Sequence, residues 1–235
     1  MIDFHTHILP HMDDGSQSLE QAREMIKREQ AEGIQDIIAT PHFYADRVGM
    51  DSFLSYREKS MQAVQKMMEK EMWERPPRIY GGAEVYYFPG IGRASEISKL
   101  CVEGTSLLLL ELPFSQWDQG VYQDVAQLAE EQELTVIVAH IERYFGFQKK
   151  KDIWDAVFEL PVYAQMNAGA FLTWKERMTS MKLLKKGYRL LLGSDCHDLD
   201  RRPPNLAAGR EVIRKKAGES FLEEIDQNGR EIMRR

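Results

Sequence analysis

Hydrophobic runs of strand length alternate with amphipathic stretches of helical period along the whole chain. Runs rich in aliphatic and β-branched residues predict strands at 2–7, 34–40, 78–86, 106–112, 134–140, 162–167 and 189–195. Ser18 with Gln21 reads as a capping box opening a helix that Gly33 ends, and Asp51 opens a longer one at 51–73. Further helices are predicted at 91–100, 121–132, 152–158, 173–186 and 206–216, and a last one at 219–233 is expected to lie as a lid on the flank. This alternation implies a parallel sheet. Seven strands are expected to close into an α/β barrel of (β/α)7 type rather than an open sheet. The reason is that chemically conspicuous residues follow the first, second, third, fourth, fifth and seventh strands, and an open sheet would spread them along its edge.

Composition narrows the picture. A chain of 235 residues with 43% hydrophobic residues can bury one sizeable core, and no Pro/Gly/Ser-rich linker divides it, so a single domain over residues 1–235 is expected. The net charge of −6, with Lys and Arg scattered along helical faces, argues against nucleic acid as a partner and leaves single phosphate groups open. No apolar run reaches the roughly 18 residues of a membrane span, and no secretory pattern follows Met1, so no direct membrane insertion and a cytoplasmic location are expected. Cys101 and Cys196 have no metal-binding spacing, and a reducing compartment argues against a disulfide between them.

The histidines and acids carry the chemistry. Of six histidines, five fall at or just after strand ends: His5, His7, His42, His140 and His197. Side chains two apart on a strand share a face, so His5 and His7 can reach one ion while Thr6 points away. Asp13-Asp14-Gly15 reads as a turn and helix approach in which Asp14 is a candidate ligand. Pro41 stiffens the turn that presents His42. Glu84 lies in the third strand run, and Glu111 closes four leucines, Leu107 to Leu110. A carboxylate so buried would cost several kcal/mol unless paired, and a cation is the economical partner. His140 ends Val136 to Ala139 in the same way, and Asp195 and His197 again stand two apart.

Divalent ions gathered by Asp14, Glu84, Glu111 and Asp195 together with neutral imidazoles would attract a phosphomonoester dianion. Arg143 and Arg202 are candidates for gripping its oxygens, because a guanidinium matches two at once. Cys196 and Arg202 also satisfy the Cys-x5-Arg spacing of thiol phosphatases. Asp198 and Asp200 would repel a dianion there and Pro203 and Pro204 remove two amides, so the thiol reading is rejected and Cys196 is expected to face the barrel wall. Phe43, Tyr44, Tyr86, Tyr87, Trp117, Tyr144 and Trp174 are candidates to line a substrate mouth.

Taken together, His5-x-His7, Asp14, Thr-Pro-His42, Glu84, Glu111, Ala-His140-x-Glu-Arg143 and Ser-Asp195-x-His197 resemble the polymerase-and-histidinol-phosphatase (PHP) superfamily over essentially the whole chain. Within it, the opening Met-Ile-Asp-Phe-His-Thr-His-Ile-Leu-Pro and Met-Asp-Asp-Gly resemble the metal-dependent tyrosine phosphatases of bacterial capsule and exopolysaccharide operons. The resemblance implies a distorted (β/α)7 TIM-like barrel, the PHP fold, holding three divalent metal ions, usually assigned as Mn, with Fe, Mg or Zn as alternatives. It also implies a grouping of ligands. One ion would take His5, His7, Glu84 and Asp195, a second Glu84, His42 and His140, and a third Asp14, Glu111 and His197. The implied substrate is a phosphotyrosine protein, namely the tail of a membrane-anchored bacterial tyrosine kinase. Ile141 departs from the proline found after the histidine in many relatives, and the chain ends sooner after its last helix than some of them. The alternatives are a histidinol-phosphate-type small-molecule phosphatase, an amidohydrolase, which would leave His42 and Asp14 without a role, and a non-catalytic PHP binding module, disfavoured because no ligand position is missing.

Overall fold

A computed structural model describes every residue except Met72 and Arg235. Strands β1 (Ile2–Thr6), β2 (Asp36–Ala39), β3 (His42–Phe43), β4 (Arg78–Gly81), β5 (Glu84–Tyr86), β6 (Leu107–Glu111), β7 (Thr135–Val138), β8 (Tyr163–Asn167) and β9 (Leu190–Gly193) are joined by helices. The helices are α1 (Leu19–Ala31), α2 (Met50–Lys70), α3 (Gln119–Ala126), α4 (Ile141–Tyr144), α5 (Asp152–Glu159), α6 (Trp174–Leu184), α7 (Leu206–Lys216) and α8 (Glu219–Ile232). All strand pairs are parallel.

The seven strands read from the sequence become nine, in two sheets of order β1-β2-β4 and β3-β5-β6-β7-β8-β9. Two of the predicted runs are interrupted. Pro41 has no N–H to give to a ladder, so the 34–40 run ends at Ala39 and pairing resumes at His42. Gly82 and Ala83 break the 78–86 run at the matching level. Backbone bonds still cross the breaks, from Gly82 N–H to Ala39 O (2.8 Å) and from Glu84 N–H to Pro41 O (3.0 Å).

Helix α1 begins as its cap predicts: Ser18 Oγ accepts from Gln21 N–H at 3.1 Å, and Gly33 beyond its end sits at φ +85°. Helix α2 stops at Lys70, short of the predicted Trp73, and Met72 lies outside the described residues. The predicted 91–100 helix is two short 3-10 turns, Ile91–Arg93 and Ile97–Leu100, because the extended Ala94 interrupts it.

Alternation hidden inside the run of four leucines divides the interior into two layers. Leu108 and Leu110 face the helices, whereas Leu107 and Leu109 pack inward against Ile38, Ile137, Tyr163 and Leu191. Each fully buried leucine contributes roughly 1.5–3 kcal/mol. Helix α8 does more than cover a flank. Its Leu222 and Ile225 join the outer layer, while Ile232 enters the inner one beside Phe4, at the amino end of β1. The opposite, carboxyl ends of the strands are left for polar side chains.

Candidate active site

The candidate ligands lie at, or a few residues past, the carboxyl ends of β1, β2, β4, β6, β7 and β9, and Asp14 lies on the loop that follows β1. In β1 a register shift between Asp3 and Thr6 alters the simple alternation, so Phe4 packs inward while His5 and His7 both face the cluster, their Nε2 atoms 3.1 Å apart. Both are fully buried. His42 opens β3, Glu84 opens β5 and Glu111 ends β6. Two further residues sit on strained backbone: His140, two residues past β7, has φ +28°, and Asp195, two past β9, has φ +53°.

Glu84 is the hub. Its Oε1 lies 2.8 Å from His140 Nε2, and its Oε2 lies 2.9 Å from His42 Nδ1, 3.1 Å from His5 Nε2 and 3.4 Å from His7 Nε2. Glu111 Oε1 approaches His140 Nε2 at 3.3 Å, and Asp195 Oδ1 lies 3.5 Å from Nε2 of both His5 and His7. Asp14 Oδ1 faces His42 Nε2 at 3.6 Å and His197 Nε2 at 3.5 Å. The structure thus brings all nine expected ligand residues into one cluster. Three sets have donor atoms mutually close enough for one ion: His5/His7/Glu84, His42/Glu84/Glu111 and His7/Asp14/His42/His197. Glu111 thus lies with His42 and Glu84 in one of these sets.

The donor set fits divalent ions on its own geometry. Glu84 Oε2, His42 Nδ1, His140 Nδ1 and His197 Nε2 are buried without a hydrogen-bond partner, although Glu84 Oε2 and His42 Nδ1 lie only 2.9 Å apart. Atoms that crowd together without hydrogen-bond angles are arranged to share a cation and not a proton. Outer bonds fix the ring orientations as metal-binding histidines require: the Nδ1 atoms of His5, His7 and His197 meet Gln165 Oε1 (3.1 Å), Asp13 Oδ2 (2.6 Å) and Asp195 O (3.0 Å), leaving Nε2 for the centre.

Charge follows the same logic. Burial would push the Asp195 carboxyl up, but the His5 and His7 imidazoles and the Arg143 guanidinium hold it well below the usual carboxylate range. Burial likewise opposes charge on His140, yet hydrogen bonds to Glu111 and Glu84 carry it up to about 9. Burial and the neighbouring His7 push His197 down to about 3. Arg143 and Arg202 converge on Asp195 Oδ2, at 2.5 and 2.7 Å, with 38% and 36% of their side chains still exposed. They thus stand at the rim with free donors toward solvent. Ile141, at the departure from proline, is buried and starts the short α4 that carries Arg143.

Cys196 is fully buried on the opposite side of the strand, 3.9 Å from Glu29 Oε1, and burial holds its thiol well above the usual range. A neutral thiol walled from solvent is no nucleophile.

Sequence reasoning missed three positioning residues. Asp13 accepts from His7 Nδ1 and, at 2.8 Å, from His42 N–H, and although burial opposes it, His7 draws its carboxyl down to about 2. Gln165 binds His5 Nδ1 and accepts from His140 N–H at 2.7 Å, and Asn167 donates to Asp195 Oδ2 at 2.7 Å. The signal was present: two carboxamides, spaced by two, inside an otherwise apolar strand. Of the aromatic residues proposed for the mouth, Phe43, Tyr87, Trp117 and Tyr144 are buried packing, whereas Trp174 is 71% exposed.

A parallel α/β fold that gathers imidazoles, carboxylates and two rim arginines near its strands' carboxyl ends places its candidate site where parallel α/β enzymes carry theirs. The sequence matches the family described as capsular polysaccharide synthesis, CpsB/CapC, over residues 1–234, and the chain belongs to that family. The tyrosine-protein phosphatase CpsB of Streptococcus agalactiae serotype V is 28% identical over 241 residues, covering 95% of this chain and 96% of that protein. The tyrosine-protein phosphatase YwqE of Bacillus subtilis is 24% identical over 238 residues, covering 100% and 92%. A chain from the crystal structures of Bacillus subtilis YwqE and Streptococcus pneumoniae CpsB, described as unique metal-dependent tyrosine phosphatases, superposes with a TM-score of 0.86 at 22% identity, covering 100% of this chain and 94% of that one.

Proposed function

We propose that this protein is a metal-dependent protein-tyrosine phosphatase. Its substrate on this reading is a phosphotyrosine protein in the cytoplasm, the tail of a membrane-anchored bacterial tyrosine kinase that controls capsule or exopolysaccharide synthesis. The observation that carries the reading is the convergence of three imidazole nitrogens on Glu84 Oε2 without hydrogen-bond geometry. Family membership and the tyrosine-phosphatase relatives support the substrate class. We read the architecture as one domain over residues 1–235, a distorted (β/α)7 barrel. Support comes from backbone bonds tying β1 to the segment after β9, Asp195 N–H to His5 O (2.8 Å) and His7 N–H to Cys196 O (2.9 Å). Among the described residues no helix is long and apolar enough to cross a membrane.

On this reading three divalent ions, most simply Mn, are held by His5, His7 and Glu84 with Asp195, by Glu84, His42 and His140 with Glu111, and by Asp14 and His197. Such ions supply Lewis-acid charge and lower the pKa of bound water from about 15.7 toward neutrality. The chain's own groups do the rest. Asp13, Gln165 and the Asp195 carbonyl hold the ligand imidazoles in orientation. Arg143 and Arg202, steered by Asp195, bind the equatorial phosphate oxygens and stabilise the charge that grows on them. The test is turnover of a phosphotyrosine peptide beside histidinol phosphate by metal-loaded protein, with Arg143→Ala alongside. The expected result is preference for the peptide, and a variant of unchanged metal content with kcat/KM lowered about 100-fold. Preference for histidinol phosphate would move the protein to the small-molecule reading, and an unaffected Arg143→Ala would remove the clamp.

A further inference from the structure

Phe114 lies three residues beyond Glu111, on the loop that leaves β6 at the site. Its ring stacks on the His140 imidazole, centroids 5.9 Å apart and planes 19° apart, and His140 in turn stacks on His5 at 5.6 Å and 29°. His140 thus stacks on both the buried His5 ring and the partly exposed Phe114 ring. Below Phe114 the loop is rigid: Tyr144, fully buried, packs on its ring at 5.0 Å, and Tyr144 Oη accepts from Leu112 N–H at 3.0 Å. Beside it Phe147 makes an edge contact at 6.3 Å. Yet Phe114 is 40% and Phe147 46% exposed. The other aromatic wall of the site differs, because Tyr44, 5.3 Å from the His42 ring, already carries the Arg47 guanidinium over its face at 4.3 Å. Phe114 and Phe147 together therefore present adjacent, partly exposed apolar rings beside a charged centre.

We propose that Phe114 is a specificity-determining residue that receives the aryl ring of an arylphosphate by stacking, with Phe147 as its edge. The inference rests on the phosphomonoesterase reading and deepens it. In an aryl ester the ring begins one oxygen from phosphorus, so a phosphate bound at the cluster that holds His140 keeps the ring within a few ångströms of the residues that pack on His140, of which Phe114 is one. An alkyl ester offers no face to stack.

The experiment compares Phe114→Ala, Phe114→Leu and Phe114→Trp with the parent, all metal-loaded and checked for metal content. Turnover is measured on a phosphotyrosine peptide and on a phosphoserine peptide of the same sequence. Binding of non-hydrolysable phosphonate analogues of both peptides is measured by calorimetry. The expected result is a loss of about tenfold in kcat/KM and in affinity for the aryl ligand, the factor equivalent to about 1.4 kcal/mol of aromatic contact, in the Ala and Leu variants. The alkyl ligand should change less than about twofold, and Trp should retain the aryl preference. Equal losses on both peptides, or loss of bound metal, would show that Phe114 only supports His140 and overturn the proposal, as would an unchanged aryl preference. A parent protein that turns over neither peptide removes the phosphatase reading instead, and the calorimetric comparison still decides the stacking role.

Discussion

At the level of single residues, the choice between thiol and metal chemistry is decided by burial and partners. Cys196 stands between two candidate ligands in sequence, yet its side chain meets Glu29 and not the site. Cys196→Ser is therefore expected to keep most of the activity, whereas His42→Ala or His140→Ala, each removing an imidazole from Glu84, should lose nearly all of it; the opposite order in a phosphotyrosine assay would hand the mechanism to the thiol. Glu29 itself carries a pH signature. Burial, reinforced by Asp3 and Glu32, raises its carboxyl well above the ordinary value of 4.5. Folded protein then keeps the proton over a range in which unfolded chain has lost it, so stability is unaffected below about 4.5 and declines as pH rises above it. Glu29→Gln should leave the Tm unchanged near pH 4.5 and raise it relative to the parent near pH 8, as read from thermal unfolding across that interval. A variant with the parent's full pH dependence would show that Glu29 is ionised in the folded protein. Most of the clustered acids and histidines were legible individually, because such residues at the ends of apolar runs stand out from the strands that carry them. Asp13 was not, since a turn carboxylate next to Asp14 looks the same whether it caps a helix or holds His7.

Among the elements, the close approach of β9 to β1 sets the position of the first ligands. A Cβ added to Gly193 would lie 2.6 Å from His5 Cβ and 2.9 Å from Gln165 Nε2, so the last residue of β9 has room only for hydrogen. Gly193→Ala should cost roughly 1–3 kcal/mol by overpacking and displace His5 together with its Gln165 anchor. The expected outcome is a folded but less stable protein that binds less metal, measured by denaturant unfolding and elemental analysis. Normal metal content in a stable variant would mean that β1 can give way without consequence. Strand β8 illustrates where reading by element failed: it was taken as the one strand without chemistry, yet Gln165 and Asn167 on its inward face orient His5, His140 and Asp195. Amides carry no charge, so a pair of them two apart in an apolar strand is a weaker signal than an acid or a histidine.

For the whole molecule, the centre couples charge to stability. Carboxylates of Asp13, Asp14, Glu84, Glu111 and Asp195 share one end of the fold with five imidazoles, and cations that bind only this folded arrangement must stabilise it. Elemental analysis should find about three divalent ions per chain, and chelation should abolish activity and lower the Tm by roughly 5–10 °C for each site lost from occupancy about a hundredfold above its dissociation constant. Full activity in chelator from protein without bound metal would sink the assignment.

The sequence by itself determined that the chain is a parallel α/β fold and which acids and histidines lie near its strands' carboxyl ends, because strands alternating with helices run parallel and parallel strands end on one side. It also determined the family resemblance, which rests on residue types in order. Only the tertiary structure decided which of these side chains lie together. Glu84 serves as hub, Glu111 joins His42, and Asp14 faces His42 and His197, since these relations depend on strand stagger, on the breaks at Pro41 and Gly82 and on the register shift in β1. It likewise decided which aromatic rings are core and which are exposed, for burial is a property of neighbours, and a sequence orders neighbours only along the chain.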